Sequence, residues 1–94
     1  MKVQYDPDFI KKLKRTDVRI RRSFEKRLTI FLKNPLNPQL NNHMLREEYS
    51  GLRSIDITAD YRAVYEEIKV GDEEIAYFTI LGTHKELYRH SQAN

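Results

Sequence analysis

The chain has no cysteine, no tryptophan, and only three glycines and three prolines among its 94 residues. Without cysteine, a disulfide framework, a thiolate metal site and a thiol nucleophile are all excluded. No apolar run is long enough to span a bilayer, and the first residues lack the apolar region of a signal peptide. We therefore expect one domain over residues 1–94, located in the cytoplasm, with no membrane partner.

Positive charge is concentrated in the N-terminal part of the chain. Residues 1–34 hold eleven Lys or Arg against four Asp or Glu, whereas residues 35–94 hold six against ten. A basic half suits nucleic acid or an acidic protein partner, and it is equally typical of a solvated helix face. Charge alone leaves both interpretations open.

Two helices are predicted in the basic half, after a short strand over residues 2–5. An acidic cap and a proline, Asp6 and Pro7, start the first helix at about residue 7, and it runs to about residue 15. Asp17 caps the second, over about residues 18–33, and Pro35 ends it because proline disfavours helix in the preceding residue. One apolar stripe at helical spacing predicts its buried face: Ile20, Phe24, Leu28 and Phe31.

The period changes after an Asn- and Pro-rich loop. Residues 53–57 alternate apolar and polar side chains, and residues 61–68 and 74–81 are rich in aromatic and β-branched residues. Residues 83–88 predict one helical turn. Consecutive strands with short links predict an α+β domain, a small antiparallel sheet of three to four strands with the two N-terminal helices packed on one face.

Two short motifs complete this order of elements: Tyr-Arg-Ala-Val-Tyr at residues 61–65 and Gly-Thr-His-x-x-Leu-Tyr at residues 82–88. With them, and with His43 upstream of Gly51, the chain resembles the RelE/ParE superfamily of bacterial toxins over nearly its whole length. The ending is most similar to the YafQ-like branch. The resemblance implies a toxin of a type II toxin–antitoxin system, silenced by a cognate antitoxin protein. Active RelE and YafQ members cut mRNA in the ribosomal A site without metal, whereas ParE members poison DNA gyrase.

The resemblance also assigns site residues. His43, Asp60 and His84 match catalytic positions of the YafQ-like branch, and Arg62 matches the strand arginine of RelE proper. Tyr61 stands where that branch has a tryptophan, and Tyr88 matches a terminal aromatic residue. We therefore expect a catalytic set of His84, His43, Asp60 and Arg62, and an RNA-binding set of Tyr61, Tyr88, Arg53 and Lys85.

The chemistry of RNA cleavage without metal fits these residue types. The 2′-OH must lose a proton, the leaving 5′-oxygen must gain one, and the charge on phosphorus must be stabilised. Histidine serves either proton role near neutral pH, and arginine offers a fixed fork of donors to phosphate oxygens. Tyrosine rings stack on splayed bases. No metal and no cofactor are expected, and the partners are the antitoxin, the ribosome and mRNA.

The sequence departs from the YafQ-like pattern at two positions. Asp56 stands where the branch carries a second histidine, and Ile80 or Leu81 stands where it carries an arginine. Some of these residues also have a structural interpretation. In that interpretation Arg62 pairs with Glu66 or Asp60, and Tyr61, like Tyr65, lies in the core. Three functions therefore remain: a ribosome-dependent endoribonuclease, a family member that binds antitoxin with weakened catalysis, and a gyrase inhibitor.

Overall fold

The computed structural model describes residues 1–87 of the chain. Strand β1 (Lys2–Tyr5) is followed by two helices, α1 (Pro7–Arg15) and α2 (Val18–Lys33). Four more strands follow: β2 (His43–Met44), β3 (Leu52–Asp56), β4 (Tyr61–Val70) and β5 (Glu73–Thr83). Single 3₁₀ turns, Pro38–Leu40 and Glu47–Tyr49, flank β2, and residues 84–87 are helical.

The five strands form one sheet in the order β1-β5-β4-β3-β2. The edge strand β1 runs parallel to β5, and all other neighbours are antiparallel. The α+β architecture is confirmed, but the prediction of three to four strands is wrong. The additional strand is β2, whose two residues show no alternation and become a strand only because His43 and Met44 pair with Ser54 and Arg53.

Both N-terminal helices begin where their caps predict. The Asp6 carboxylate accepts a hydrogen bond from the Asp8 backbone N–H at 2.9 Å, and Pro7 occupies the first turn. The Asp17 carboxylate accepts one from the Arg19 N–H at 2.7 Å. Local cap chemistry therefore fixes where α1 and α2 lie along the chain.

An aromatic core lies between the helices and one side of the sheet, which we call the helix-covered face. Phe24 is 3% exposed and Phe31 is completely buried, as their stripe predicts, while Ile20 and Leu28 are partly buried against the same cluster. The Phe24 and Phe78 rings meet edge to face, with centroids 5.9 Å apart. The predicted packing of α2 on the sheet is confirmed.

A β-bulge in β5 changes which of its side chains point to each face of the sheet. Val64 pairs with Ile80, but the next residue, Tyr65, pairs with Phe78, so Thr79 is an extra residue in β5. The extra residue allows Phe78 and Leu81, three positions apart, to belong to the same core. Without it, strand alternation would turn one of them away from the helices.

The opposite side of the sheet, the distal face, carries a smaller apolar cluster. Leu45, Val64 and Leu87 are buried there, packed against Ile80 and Leu52 among others. Leu87 comes from the helical residues after β5, which therefore fold back over this face. Within residues 1–87, the longest helix is α2, and no helix is long and apolar enough to cross a membrane.

Candidate functional site

Strand pairing aligns polar residues in two rows on the distal face. His43 pairs with Ser54, Ser54 with Val64, and Val64 with Ile80. One row further along, Asp56 pairs with Arg62, and Arg62 with Gly82. Directly opposite residues of antiparallel strands share a face, so His43, Asp56 and Arg62 all lie on the distal face.

Arg62 is held by the turn between β3 and β4. Its Nη1 donates hydrogen bonds to the carbonyl oxygens of Thr58 and Ala59, both at 3.1 Å, and of Tyr61 at 3.2 Å. The turn itself is shaped by the Thr58 hydroxyl, which accepts a hydrogen bond from the Tyr61 N–H at 3.0 Å. The guanidinium is therefore fixed in place by backbone carbonyls at the start of β4.

Asp56 forms an ion pair with Arg62. The Arg62 Nε lies 2.9 Å from Asp56 Oδ1, and the two side chains are 14% and 26% exposed. Although the atoms are close, Oδ1 is buried and receives no properly directed hydrogen bond. The contact is therefore one of charge more than of hydrogen-bond geometry, and the other oxygen, Oδ2, accepts from Asn41 Nδ2 at 3.3 Å.

This pairing corrects the expected partners of Arg62, which were Glu66 or Asp60. The sequence signal for the Asp56–Arg62 pairing is the tight connection between β3 and β4. A hairpin centred on Ala59 places residue 56 opposite residue 62. Asp56 also lies between Ile55 and Ile57, which are both in the core, so alternation turns it to the distal face. In the sequence, Asp56 stands only as a replacement for a histidine of the YafQ-like branch, and no local pattern places it against Arg62.

His43 is oriented by Asn41. Its Nδ1 lies 2.8 Å from the Asn41 carbonyl oxygen. A carbonyl only accepts, so Nδ1 carries the proton, and in the neutral ring Nε2 is left as an acceptor. Asn41 adopts a left-handed conformation (φ 48°), and its side chain reaches Asp56, so one residue contacts both His43 and Asp56. Asn41 is absent from the residues that the sequence predicts for the site, because its contacts depend on its backbone conformation.

His84 lies at the same end of the sheet as Arg62. It follows β5, is exposed, and its backbone N–H donates to the Asp60 carbonyl at 2.7 Å. Tyr61 pairs with Thr83, and Arg62 with Gly82, so Asp60, Arg62 and His84 belong to adjacent ends of β4 and β5. The structure brings these three predicted residues together.

His43 is set apart from His84. Their strands, β2 and β5, are separated by β3 and β4. At about 4.8 Å per strand, three spacings amount to about 14 Å across the sheet. His43 therefore joins the site through Asn41 and Asp56 and not through a contact between the two histidines.

The backbone before His84 is held by a capping box. Glu86 accepts from the Thr83 N–H at 2.9 Å, and the Glu86 N–H donates to the Thr83 hydroxyl at 3.1 Å. Lys12 of α1 forms an ion pair with Glu86 at 3.1 Å. The hydrogen bond from Thr83, and then Lys12, hold the pKa of Glu86 below its usual value. These contacts fix where the chain leaves β5, and so where His84 starts.

Two predicted RNA-binding residues lie on the other side of the sheet. Tyr61 packs against the aromatic core. Arg53 pairs in register with buried Tyr65, and its Nε donates to Asn42 Oδ1 at 2.8 Å. Both residues therefore face away from Arg62, and the structural alternative for Tyr61 and Tyr65, a place in the core, describes them better.

Arg53 and Tyr65 line a cleft of about 310 Å³ on the helix-covered side. Met1, Pro35 and Leu36 contribute its apolar walls. Asn42 Nδ2 donates to the Tyr65 hydroxyl at 2.7 Å, and burial raises the pKa of this phenol. The cleft opens on the opposite side from His43 and Asp56.

The remaining assigned residues are Lys85 and Tyr88. Lys85 is exposed, next to His84. Tyr88 lies outside the described residues. Ile80, at one of the two departures, is part of the apolar cluster on the distal face. Within residues 1–87, no group of three or more His, Cys, Asp or Glu side chains is placed to hold a metal ion.

Comparisons with known proteins give one family and one fold. A family model described as the ParE toxin of type II toxin–antitoxin system, parDE, matches residues 3–88. A YoeB/ParE toxin from Agrobacterium tumefaciens has a similar structure, with a TM-score of 0.72 and 22% identity, over 89% of this chain and 99% of that one. YafQ from E. coli gives a TM-score of 0.72 and 21% identity, over 92% and 96%.

The E. coli DinJ–YafQ complex contains a chain with a similar structure, at a TM-score of 0.62 and 22% identity, over 92% of this chain and 96% of that one. At these identities the structures establish a shared fold. No curated protein matches the sequence significantly.

Proposed function

This chain belongs to the ParE toxin family of type II toxin–antitoxin systems, and from the residues at one end of its sheet, rather than from the family alone, we propose that it cuts mRNA on the ribosome without a metal ion. The observation that carries the proposal is the meeting of Arg62, Asp60 and His84 at adjacent ends of β4 and β5. An anchored guanidinium and an exposed histidine at the same end of the sheet offer a phosphate ligand and a proton carrier.

The roles follow from position. Arg62 binds the scissile phosphate and stabilises its developing charge. His84 transfers a proton at the reacting oxygens, because it is exposed where the chain leaves β5. His43, with Nδ1 bound to the Asn41 carbonyl, presents Nε2 as an acceptor from the far side of the site. The Asp60 carbonyl accepts a hydrogen bond from the His84 N–H, and so helps to position the backbone that carries the His84 side chain.

RNA contacts are proposed around the same end of the sheet. Lys85 is exposed beside His84 and suits the RNA backbone. Tyr88, which lies outside the described residues, is proposed from the family resemblance alone as a stacking surface for a base. Tyr61 and Arg53 lie on the helix-covered side, so any RNA contact they make is separate from the phosphate held by Arg62.

A cognate antitoxin is the proposed protein partner. The chain's fold is shared with YafQ in a complex with DinJ. Most basic residues of α1 and α2 are exposed, namely Lys11, Lys14, Arg15, Arg19, Arg22, Lys26 and Lys33. This surface suits an acidic or amphipathic antitoxin segment.

A second function is favoured by two features of the site. Asp56 already neutralises Arg62, and Ile80 places an apolar side chain where the YafQ-like branch has an arginine. Both features weaken phosphate binding. The chain therefore also fits a toxin that still binds its antitoxin but cuts RNA slowly. Restoring Asp56→His and Ile80→Arg should then raise the cleavage rate.

The experiment that tests the proposal uses wild-type protein and ribosomes programmed with a defined mRNA. We expect cleavage in the A-site codon that persists in EDTA and disappears when the scissile nucleotide lacks its 2′-OH. A parallel gyrase supercoiling assay should show no inhibition. Intact mRNA together with inhibited gyrase would establish the third function instead, and intact mRNA with antitoxin binding would establish the second.

A further inference from the structure

Arg62 has too few free donors to hold a phosphate with its fork. Its Nε faces Asp56 at 2.9 Å, and its Nη1 donates to three backbone carbonyls. Only Nη2 has neither a hydrogen-bond acceptor nor an ion-pair partner among residues 1–87. A bidentate contact needs two donors on one edge of the guanidinium. While Asp56 stays in place, an incoming phosphate therefore meets one donor and a neighbouring carboxylate.

We propose that Asp56 is an internal competitor for RNA phosphate at Arg62 and sets the affinity of the site for RNA. The inference rests on the proposed function, since it takes the phosphate groups of RNA as the ligand. It adds a residue that acts on RNA through Arg62 and makes no contact of its own with the substrate.

Asp56 is the partner that RNA displaces, because its contact with Arg62 is less well hydrogen-bonded than those of the backbone carbonyls. Its Oδ1 is buried without a directed hydrogen bond, and its Oδ2 receives one long hydrogen bond, 3.3 Å from Asn41 Nδ2. The three carbonyls on Nη1 belong to the fixed β3–β4 turn and remain when Asp56 moves. Displacement of Asp56 exposes Nε and Nη2 together, which is the edge that a phosphate can grip with two hydrogen bonds.

The opposite role for Asp56 is that it orients Arg62 for catalysis. That role is already filled, because the carbonyls of Thr58, Ala59 and Tyr61 hold Nη1 on their own. The two roles predict opposite signs. Neutralising an orienting carboxylate weakens RNA binding, whereas neutralising a competitor strengthens it.

The test measures binding of a fluorescent, 2′-O-methylated RNA oligonucleotide, which cannot be cleaved through the 2′-OH, by anisotropy. Asp56→Asn is compared with Asp72→Asn, which removes the same charge from an exposed turn at the far end of β4. We expect Asp56→Asn to bind on the order of tenfold more tightly than wild type, the scale of one hydrogen bond to a charged group. Asp72→Asn should change the affinity by less than about twofold, because a distant exposed charge is screened.

The gain must also pass through the arginine. In an Arg62→Gln background, Asp56→Asn should no longer tighten binding, since the freed donors are absent. Asp56→Ala is made in parallel, with melting temperatures for every variant, so that a variant that does not fold is replaced by one that does.

Equal affinities for Asp56→Asn and Asp72→Asn, a gain that persists with Arg62→Gln, or no RNA binding by any variant would overturn the inference. Failure of the proposed function has a different signature. If Asp56→Asn binds RNA more tightly through Arg62 but programmed ribosomes stay uncut by wild type and by Asp56→Asn, competition stands and the proposed cleavage fails.

Discussion

At the scale of single residues, the site depends on contacts that no local pattern predicts. Arg62 stands out in the sequence as an arginine among apolar and aromatic neighbours, but its partner depends on strand register. Asp56 and Asn41 meet across 15 positions of the chain. A carboxylate in a strand and an asparagine in a loop give no sign of that meeting until the hairpin and β2 are in place.

The left-handed conformation of Asn41 gives a prediction at this scale. Asn41→Gly and Asn41→Ala both remove the amide that reaches Asp56, but only alanine carries a Cβ that is disfavoured at φ 48°. We expect Asn41→Ala to be less stable than Asn41→Gly by about 1 kcal/mol in urea denaturation. An alanine variant as stable as the glycine variant would contradict the strained backbone at this position.

At the scale of elements, α2 is held to the sheet by its aromatic residues. Phe24 is 3% exposed in a ring cluster with Phe9 and Phe78, whereas Leu32 of the same helix is 52% exposed. Phe24→Ala should cost about 3–5 kcal/mol of unfolding free energy, through lost burial and a cavity. Leu32→Ala is the matched control and should cost less than about 1 kcal/mol. A Phe24→Ala protein that melts like Leu32→Ala would show that this packing is wrong.

The capping box after β5 gives a prediction on pH. The pKa of Glu86 is lowered in the folded state, first by the Thr83 N–H and then by Lys12. A lowered folded pKa means that this stabilisation is present above the ordinary value of 4.5 and is lost as pH falls through the folded pKa. Wild type should therefore lose more melting temperature than Glu86→Gln between neutral pH and the region below 4.5.

Glu74→Gln is the control for this titration, because Glu74 is an exposed carboxylate near the start of β5. Its melting temperature should follow wild type across the same pH range. Parallel curves for wild type and Glu86→Gln would contradict the contribution of the ionised Glu86 to the capping box.

Helices and long strands were predictable from the sequence, and the rest depends on pairing. Asp6, Pro7 and Asp17 fix the two helices through local chemistry, so α1 and α2 have the predicted bounds. β2 has two residues and exists only through its pairing with β3. The same kind of non-local information places Tyr61 in the core, because alternation sets its face but cannot say which face the helices cover.

At the scale of the whole molecule, the basic helix surface and the candidate site lie on opposite faces of the sheet. The basic helices cover one face of the sheet, and Arg62, Asp56 and His43 lie on the other. An antitoxin held by charge on the helices can therefore bind without occupying Arg62 directly, unless a further segment of it reaches the distal face.

The antitoxin prediction is tested by salt and by charge reversal. Complex formation should raise the melting temperature of the toxin, and the dissociation constant should increase with ionic strength because exposed charges are screened. Arg22→Glu on α2 should weaken binding more than Lys69→Glu on β4, although both residues are exposed. An affinity that is independent of salt and of Arg22 would show that the basic surface is only solvated.

The most direct test of the central claim is the single-turnover rate of A-site mRNA cleavage by His84→Ala, Arg62→Ala and the control Lys69→Ala, with antitoxin binding measured for each as a check of folding. We predict that Lys69→Ala cuts like wild type. His84→Ala should be slower by about 10²–10⁴-fold, the usual contribution of a positioned acid or base. Arg62→Ala should be slowed on a similar scale, because a donor to the developing charge is lost. A His84→Ala protein that binds antitoxin and cuts as fast as wild type would contradict the assignment of His84, and with it this account of the site.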